Sequence, residues 1–446
     1  MRVFLIAGEA SGDKLGAALM AGLHQLAPGV TFDGVGGPLM AAQGLVSRFP
    51  MQELSVMGLA EVLPKYRALK ARIRECAAAV IDTRPDVLIT IDSPDFGLRV
   101  AGQVRAAAPD VATVHYVAPS VWAWRPGRAA RMARSVDHVL ALLPFEPPYM
   151  QAAGMSCDFV GHPVVAETWA SPAEGAAFRA AHGIATDAPL LMTLPGSRRG
   201  EVARLAPVFG QVAGNLAARH PGLRVVLPTL PVIADQVRAL TGDWPVSPLI
   251  ITQDADRRAA FAAADVALAA SGTVSLELAA NRLPMVIAYD MAWLTRLIMS
   301  WLIRVDTVTL VNLVSESRAI PECLGANCTA ACITPKADAL LAGRATGRQR
   351  TAGAKAAEAT AETGDPGCRN AVRSITVDDT GAPSGAADAI ASRQAAPPAS
   401  DPSLAWRQQI SAMDLTMQRL GQGGPPPGLR AARSVLDFLA ARTRAE

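Results

Sequence analysis

The stretch "VLITIDSPDFGLRVAGQVRAA", residues 87–107, holds the fold in small. Five apolar or β-branched residues run without interruption into Asp92, Ser93, Pro94 and Asp95, and a helical apolar period follows at once. A continuous apolar run bounded by turn residues reads as a strand covered on both faces, as in parallel sheets. Pro94 fits the first turn of a helix, and Asp95 is expected to cap it. Asp92 has no such structural duty, and a carboxylate at a strand end in a partly dry cleft can take a hydroxyl proton.

The same alternation recurs along the chain. "RVFLIAG", "ATVHYVAPS" and "HVLALLP" repeat it before residue 165, and "PLLMTLPGS", "RVVLPTL", "PLIITQ", "VALAASG" and "PMVIAYD" repeat it after 188. Two series of βαβ units predict an α/β protein with two facing, doubly wound, Rossmann-like domains. We place them at 1–165 and 189–336, with a linker over 166–188 that lacks a strand pattern. A low-complexity insertion follows over 337–403, and two terminal helices over 404–446 pack back on the body. Between Gly343 and Ser403 there is no Leu, Met, Phe, Tyr or Trp, so that stretch cannot bury enough surface to offset its ordering entropy and is expected to be disordered.

Bulk composition removes several function classes. The 446 residues are 50% apolar, with 42 basic against 39 acidic residues and a formal charge of +3. Such a balance gives no global basic field for nucleic acid. Six cysteines (Cys76, Cys157, Cys323, Cys328, Cys332, Cys368) show no CxxC pair or zinc spacing, and reduced cytosolic thiols are expected. The N-terminal apolar run is too short for a signal-peptide core, and Asp290, Arg296 and Arg304 interrupt the best membrane-span candidate.

Ligands of open α/β sheets sit beyond the carboxyl ends of strands, so polar residues there carry the most weight. "AGEASGDKLG" (7–16) is a glycine-containing strand-to-helix turn that fails the P-loop and serine-elbow spacings; an ordinary turn capped by Asp13 is as good a reading. "HYVAPSVWAWRPGRAARMAR" joins two Trp to Arg125, Arg128, Arg131 and Arg134, which could receive a sugar face or a phosphate, although core Trp and a solvated Arg face are commoner. His115 reads as a structural histidine, and the acids of "QDADRR" as a helix N-cap. "LPGSRRGEV" offers Gly196 for close backbone approach, Ser197 as donor and Arg198 as a fixed cation. "AASGTVSLELA" repeats that logic with Ser271, Gly272 and Thr273, and Glu277 lies where a ribose hydroxyl would meet it. In "AWLTRLIMSWLIR", Trp293, Leu294, Leu297, Ile298, Trp301 and Leu302 share one helical face bordered by Arg296 and Arg304, equally consistent with core packing and with a membrane interface.

In order along the chain, "GEASGD", "VMGLAEVLPK", "IDSPDF", "HYVAPSVWAWR", "LPFE", "VGHP", "LPGSR", "ASGTVSLE" and "VNLVSESRAIPE" resemble lipid-A-disaccharide synthase of Gram-negative bacteria, over about residues 1–336 and the terminal helices. The resemblance implies an inverting glycosyltransferase of GT-B type, working without metal or cofactor. It would join UDP-2,3-diacylglucosamine to 2,3-diacylglucosamine 1-phosphate in a β-1,6 link. It further implies Asp92 as base for the acceptor 6-hydroxyl and Arg198 as stabiliser of the leaving UDP. Gly196, Ser197, Ser271, Gly272, Thr273, Glu277 and Asn312 would hold the UDP-sugar, and Glu9, Ser11, Asp13 and Met57 would line the acceptor side. The Trp293 to Leu302 stripe would meet the cytoplasmic face of the inner membrane, and a homodimer exchanging C-terminal elements is expected. The 343–403 segment departs from the family pattern. Rival readings are another UDP-sugar transferase or epimerase with a soluble substrate, and a catalytically silent nucleotide-sugar binder.

Overall fold

A computed structural model describes residues 1–54, 59–124, 127–291, 305–344 and 402–445. The quoted stretch forms strand β3 (Val87–Ile91), every residue buried, then a helix over Pro94–Ala107. That helix turns Phe96, Gly97, Val100, Ala101 and Val104 inward, the three- and four-residue spacing of one helical face. Burying each valine contributes about 1.5–3 kcal/mol. Gly97 is required by close packing, because a Cβ there would come 2.9 Å from the Thr90 Cβ.

β3 lies inside a six-stranded parallel sheet with β1 (Arg2–Ala7), β2 (Thr31–Val35), β4 (Ala112–Tyr116), β5 (His138–Ala141) and β6 (Ser156–Phe159), in the order β2-β1-β3-β4-β5-β6. A second parallel sheet takes β7 (Leu190–Leu194), β8 (Arg224–Pro228), β9 (Leu249–Ile251), β10 (Val266–Ala270), β11 (Met285–Tyr289) and β12 (Glu322–Leu324), in the order β12-β11-β10-β7-β8-β9. Each sheet reverses its winding once, between β1 and β3 in the first and between β7 and β10 in the second. The chain is thus two doubly wound units, as its strand pattern predicts, each with its own apolar core.

Two boundaries differ from the sequence reading. The 166–188 stretch contains a helix over Pro172–Ala181 with a Ser171/Glu174 capping box, and its Phe178 joins the second core. Its Arg179 is buried against Asp265 at 2.9 Å. The stretch therefore belongs to the second unit, and its capping and single apolar face explain why no strand pattern was seen. Residues 330–344 form one helix with Ala337, Leu340 and Leu341 buried, so the second unit extends past 336. The disorder expected from Gly343 onward falls mostly on residues outside those described.

The terminal helices divide between the units. Pro402–Arg419 places Trp406, Ile410, Met413 and Met417 in the second core, whereas Pro427–Ala445 places Ala431, Ala432 and Val435 in the first. Gly428 sits so close to the helix Ala10–Leu26 that a Cβ would meet the Ala18 carbonyl oxygen at 2.4 Å. His138 Nε2 and Ser434 Oγ, 2.8 Å apart, fix the same docking.

Candidate active site

Both winding reversals are occupied by the residues the sequence singled out. In the first unit, β1 ends beside β3, with Ala7 paired to Ile91. The turn after β1 brings Glu9, the first turn of the helix Ala10–Leu26 brings Ser11, the turn after β3 brings Asp92, and Ser11 Oγ donates to Asp92 Oδ2 at 3.1 Å. Asp92 and Ser93 both take left-handed backbone conformations, with φ of 52° and 41°. Such residues cost about 1–3 kcal/mol each and persist where their surroundings over-determine them. Here the Asp92 N–H donates to the Tyr116 carbonyl at 2.9 Å, and the Ser93 N–H donates to Asp92 Oδ1 at 2.9 Å. Next along the sheet, Val117 has φ of 86°, a third strained residue at a strand end and one the sequence pattern did not reveal.

In the second unit, β7 and β10 pair through Leu194 and Ala269, so the 196–198 and 271–273 turns lie side by side. Gly196 has φ of 119°, and a Cβ there would meet Glu201 Oε2 at 2.7 Å. Arg198 occupies the N-cap of the helix Arg199–Ala217, its side chain 69% exposed and leaning on Glu201 at 3.2 Å. Such an exposed guanidinium at a helix N-terminus suits an incoming phosphate. Ser197, Gly272 and Thr273 are exposed and Ser271 is half-buried.

The two turns face each other across the units. Burial first, and then the Asp92 charge, raise the Glu9 carboxyl above its ordinary pKa, while Arg198 of the other unit pulls it down. Lys14 of the first unit pairs with Glu167 at 2.7 Å. Glu277 is held above its ordinary pKa chiefly by burial, is paired to Arg257 and lies within electrostatic reach of Glu167 and Lys14. The sequence pattern does not single out Lys14, Glu167 or Arg257: Lys14 lies inside "AGEASGDKLG" and Arg257 follows the acids of "QDADRR", and neither spacing names a partner. Between the units, Trp122, Phe145 and Tyr149 of the first and Leu313, Val314 and Arg419 of the second line a cavity of about 600 Å³ that includes none of these residues.

Several expected roles do not fit the geometry. Asp13 is 3% exposed and accepts three backbone N–H groups, from Gly37, Leu39 and Met40, at 2.9–3.0 Å. It neither caps its own helix nor lines the cleft; it pins the short helix Pro38–Ala41. Asn312 is 1% exposed, with Nδ2 donating to the Ile320 carbonyl at 2.9 Å and Oδ1 accepting the Ile320 N–H at 3.0 Å. Both ends of its amide are engaged by the Ile320 backbone, a structural duty that the resemblance did not disclose. Asp95 lies inside the first turn, its side chain 97% exposed and 3.7 Å from Arg128, so it is not the cap. Asp254 and Asp256 likewise follow an N-cap at Gln253. His115 is structural as expected: burial drives its pKa down to about 4, and Nδ1 meets Thr90 Oγ1 at 2.7 Å. Met57, Arg125 and the stripe from Trp293 to Leu302 lie outside the described residues.

The comparisons with known proteins agree with this architecture. The family model described as lipid-A-disaccharide synthetase matches residues 3–371. A lipid-A-disaccharide synthase of Ruegeria pomeroyi is 54% identical, covering 98% of this chain and 96% of its own length. One of Rhodospirillum centenum is 51% identical over 73% of this chain and 82% of its own. Among solved structures, a glycosyltransferase of Rickettsia africae is similar with a TM-score of 0.52 at 9% identity, covering 100% of this chain and 99% of that one. Anabaena HepE in complex with UDP and glucose gives 0.50 at 13%, covering 99% of each. These structural likenesses speak to the fold.

Proposed function

Because the chain belongs to the lipid-A-disaccharide synthase family, glycosyltransferases that condense lipid A precursors, we propose that Asp92 and Arg198 perform a single in-line displacement across the cleft. The donor is UDP-2,3-diacylglucosamine and the acceptor 2,3-diacylglucosamine 1-phosphate. Asp92 accepts the proton of the acceptor 6-hydroxyl as that oxygen attacks the anomeric carbon of the donor. The bond to the UDP oxygen breaks on the opposite face, which inverts the configuration. Arg198 carries the charge that develops on the diphosphate, helped by the backbone at Gly196, Ser197 and Ser271 to Thr273. Holding both substrates between the units removes much of the entropic barrier.

One observation supports this reading above the others: the base and the cation stand at the two winding reversals, one in each unit, and the Glu9 carboxyl senses both. In this reading Glu277, paired to Arg257, takes the ribose, and the cavity lined by Trp122 and Phe145 takes an acyl chain. No helix among the described residues is long and apolar enough to cross a membrane. We assign contact with the lipid substrates at the cytoplasmic face of the inner membrane to the Trp293 to Leu302 stripe, on its sequence pattern. Vesicle co-sedimentation of the Trp293→Ser/Trp301→Ser double variant tests that assignment, and light scattering tests a dimer in which the C-terminal helices make the same contacts in exchange.

The deciding measurement is UDP release from the donor in detergent micelles, with and without acceptor, for wild type, Asp92→Asn and Arg198→Ala. Acceptor-dependent release, lost in both variants while their melting temperatures hold, is expected. Undiminished release from Asp92→Asn would remove it as the base, and acceptor-independent turnover would favour a hydrolase or epimerase on the same fold.

A further inference from the structure

Away from the cleft, at the outer edge of the second sheet, two cysteines nine positions apart in sequence are brought into contact. Cys323 lies on the edge strand β12, paired to β11 through Ala288, and is fully buried. Cys332 lies on the helix 330–344 and is half-buried. Their sulfurs are 3.1 Å apart, closer than two unbonded sulfurs ordinarily rest. One turn further along the same helix, Lys336 Nζ stands 3.3 Å from Cys332 Sγ and donates to the Cys332 carbonyl at 3.1 Å. Cys328 is buried in the connecting turn, and Cys76 and Cys157 are buried in the first unit. Of the five described cysteines, Cys332 alone combines access from solvent, an adjacent ammonium and a second sulfur within reach.

We propose that Cys332 and Cys323 are an attacking and resolving thiol pair, a modification site that takes low-molecular-weight disulfides. Lys336 stabilises negative charge on the Cys332 sulfur, which attacks one sulfur of the small disulfide. One thiolate leaves and a mixed disulfide stays on Cys332. Cys323 then gives up its proton and attacks the Cys332 sulfur, and the second thiolate departs. The balance is one small disulfide and two protein thiols converted to one protein disulfide and two small thiols. The order of attack follows from burial, which pushes the Cys323 thiol well above its usual range and leaves it a poor first nucleophile. The product staples the edge strand to the helix whose Asp338 holds Arg219 and His220, each at 2.7 Å.

The test treats the reduced full chain with oxidised glutathione, quenches with iodoacetamide and maps the non-reduced digest by mass spectrometry. The expected product is a Cys323 to Cys332 link, accompanied by a rise in melting temperature. Cys323→Ser should instead trap one glutathione on Cys332, and adding Lys336→Gln should slow that capture several-fold near neutral pH. Cys332→Ser should form no link and show no melting shift, which keeps the proposal open to test if the buried Cys323→Ser fails to fold. A link to Cys328, or glutathione capture at Cys332 no faster than at Cys76 or Cys157, overturns it.

Discussion

Ser11 Oγ donates to Asp92 Oδ2 at 3.1 Å, joining the helix that follows β1 to the turn after β3 across the winding reversal of the first sheet. That bond orients a carboxylate whose other oxygen already accepts the Ser93 N–H. Asp92→Asn should lower kcat by about 10²–10⁴-fold, the usual contribution of a positioned base. Ser11→Ala should cost about tenfold or less alone and nothing further in the Asp92→Asn background, because the two act as a unit. Steady-state rates of the four forms check this; additive losses would separate the two residues.

Asn312 separates a structural amide from a ligand-binding one. Asn312→Ala leaves both the Ile320 N–H and C=O without their partner, at a cost of about 1–3 kcal/mol for each buried group left unsatisfied. Urea unfolding should report that loss, while UDP affinity by calorimetry should be unchanged. A weakened UDP affinity with unaltered stability would restore the nucleotide-binding role.

Arg179 and Asp265 form an ion pair with side chains 6% and 2% exposed, and Asp265 also accepts the Leu190 N–H at 2.9 Å. Arg179→Met removes the nearer of two guanidinium groups from Asp265, the other being Arg344 at 3.8 Å, and takes the donors from the Ala188 and Ala263 carbonyls, so it should destabilise the second unit by roughly 3 kcal/mol. Calorimetric unfolding measures it, and a loss under about 1 kcal/mol would mean that the site rehydrates.

Glu146 accepts the Leu142 and Leu143 N–H groups and, at 3.4 Å, the Trp122 indole N–H. Burial pushes its pKa up to about 7 from an ordinary 4.5. Between those values the folded chain holds a proton that the unfolded chain has released. Stability therefore falls as pH rises from about 4.5 to about 7 and levels off above. Glu146→Gln keeps an acceptor oxygen and should abolish that slope; denaturant titrations from pH 4.5 to 8 on both forms make the comparison. Parallel curves would show that Glu146 titrates normally.

Sequence alone determined the parts of this protein that are local in the chain. A buried strand running into a helix must write its apolar run, its turn and its helical period consecutively, so "VLITIDSPDFGLRVAGQVRAA" disclosed a parallel βαβ unit and placed Asp92 at its carboxyl end. The same held for Arg198 and for Ser271 to Thr273. Periodicity states which face is buried but not what covers it, and that was decided by the tertiary structure. The Asp13 carboxylate, a cap on the local pattern, is used by Gly37, Leu39 and Met40, and the Asn312 amide, which no local pattern singles out, is engaged at both ends by Ile320. The terminal helices read alike, yet one closes the second core and the other crosses to the first, where Ser434 meets His138. Loop closure grows only slowly more costly with chain length, so partners hundreds of residues apart can still meet, and nothing in the local pattern names them.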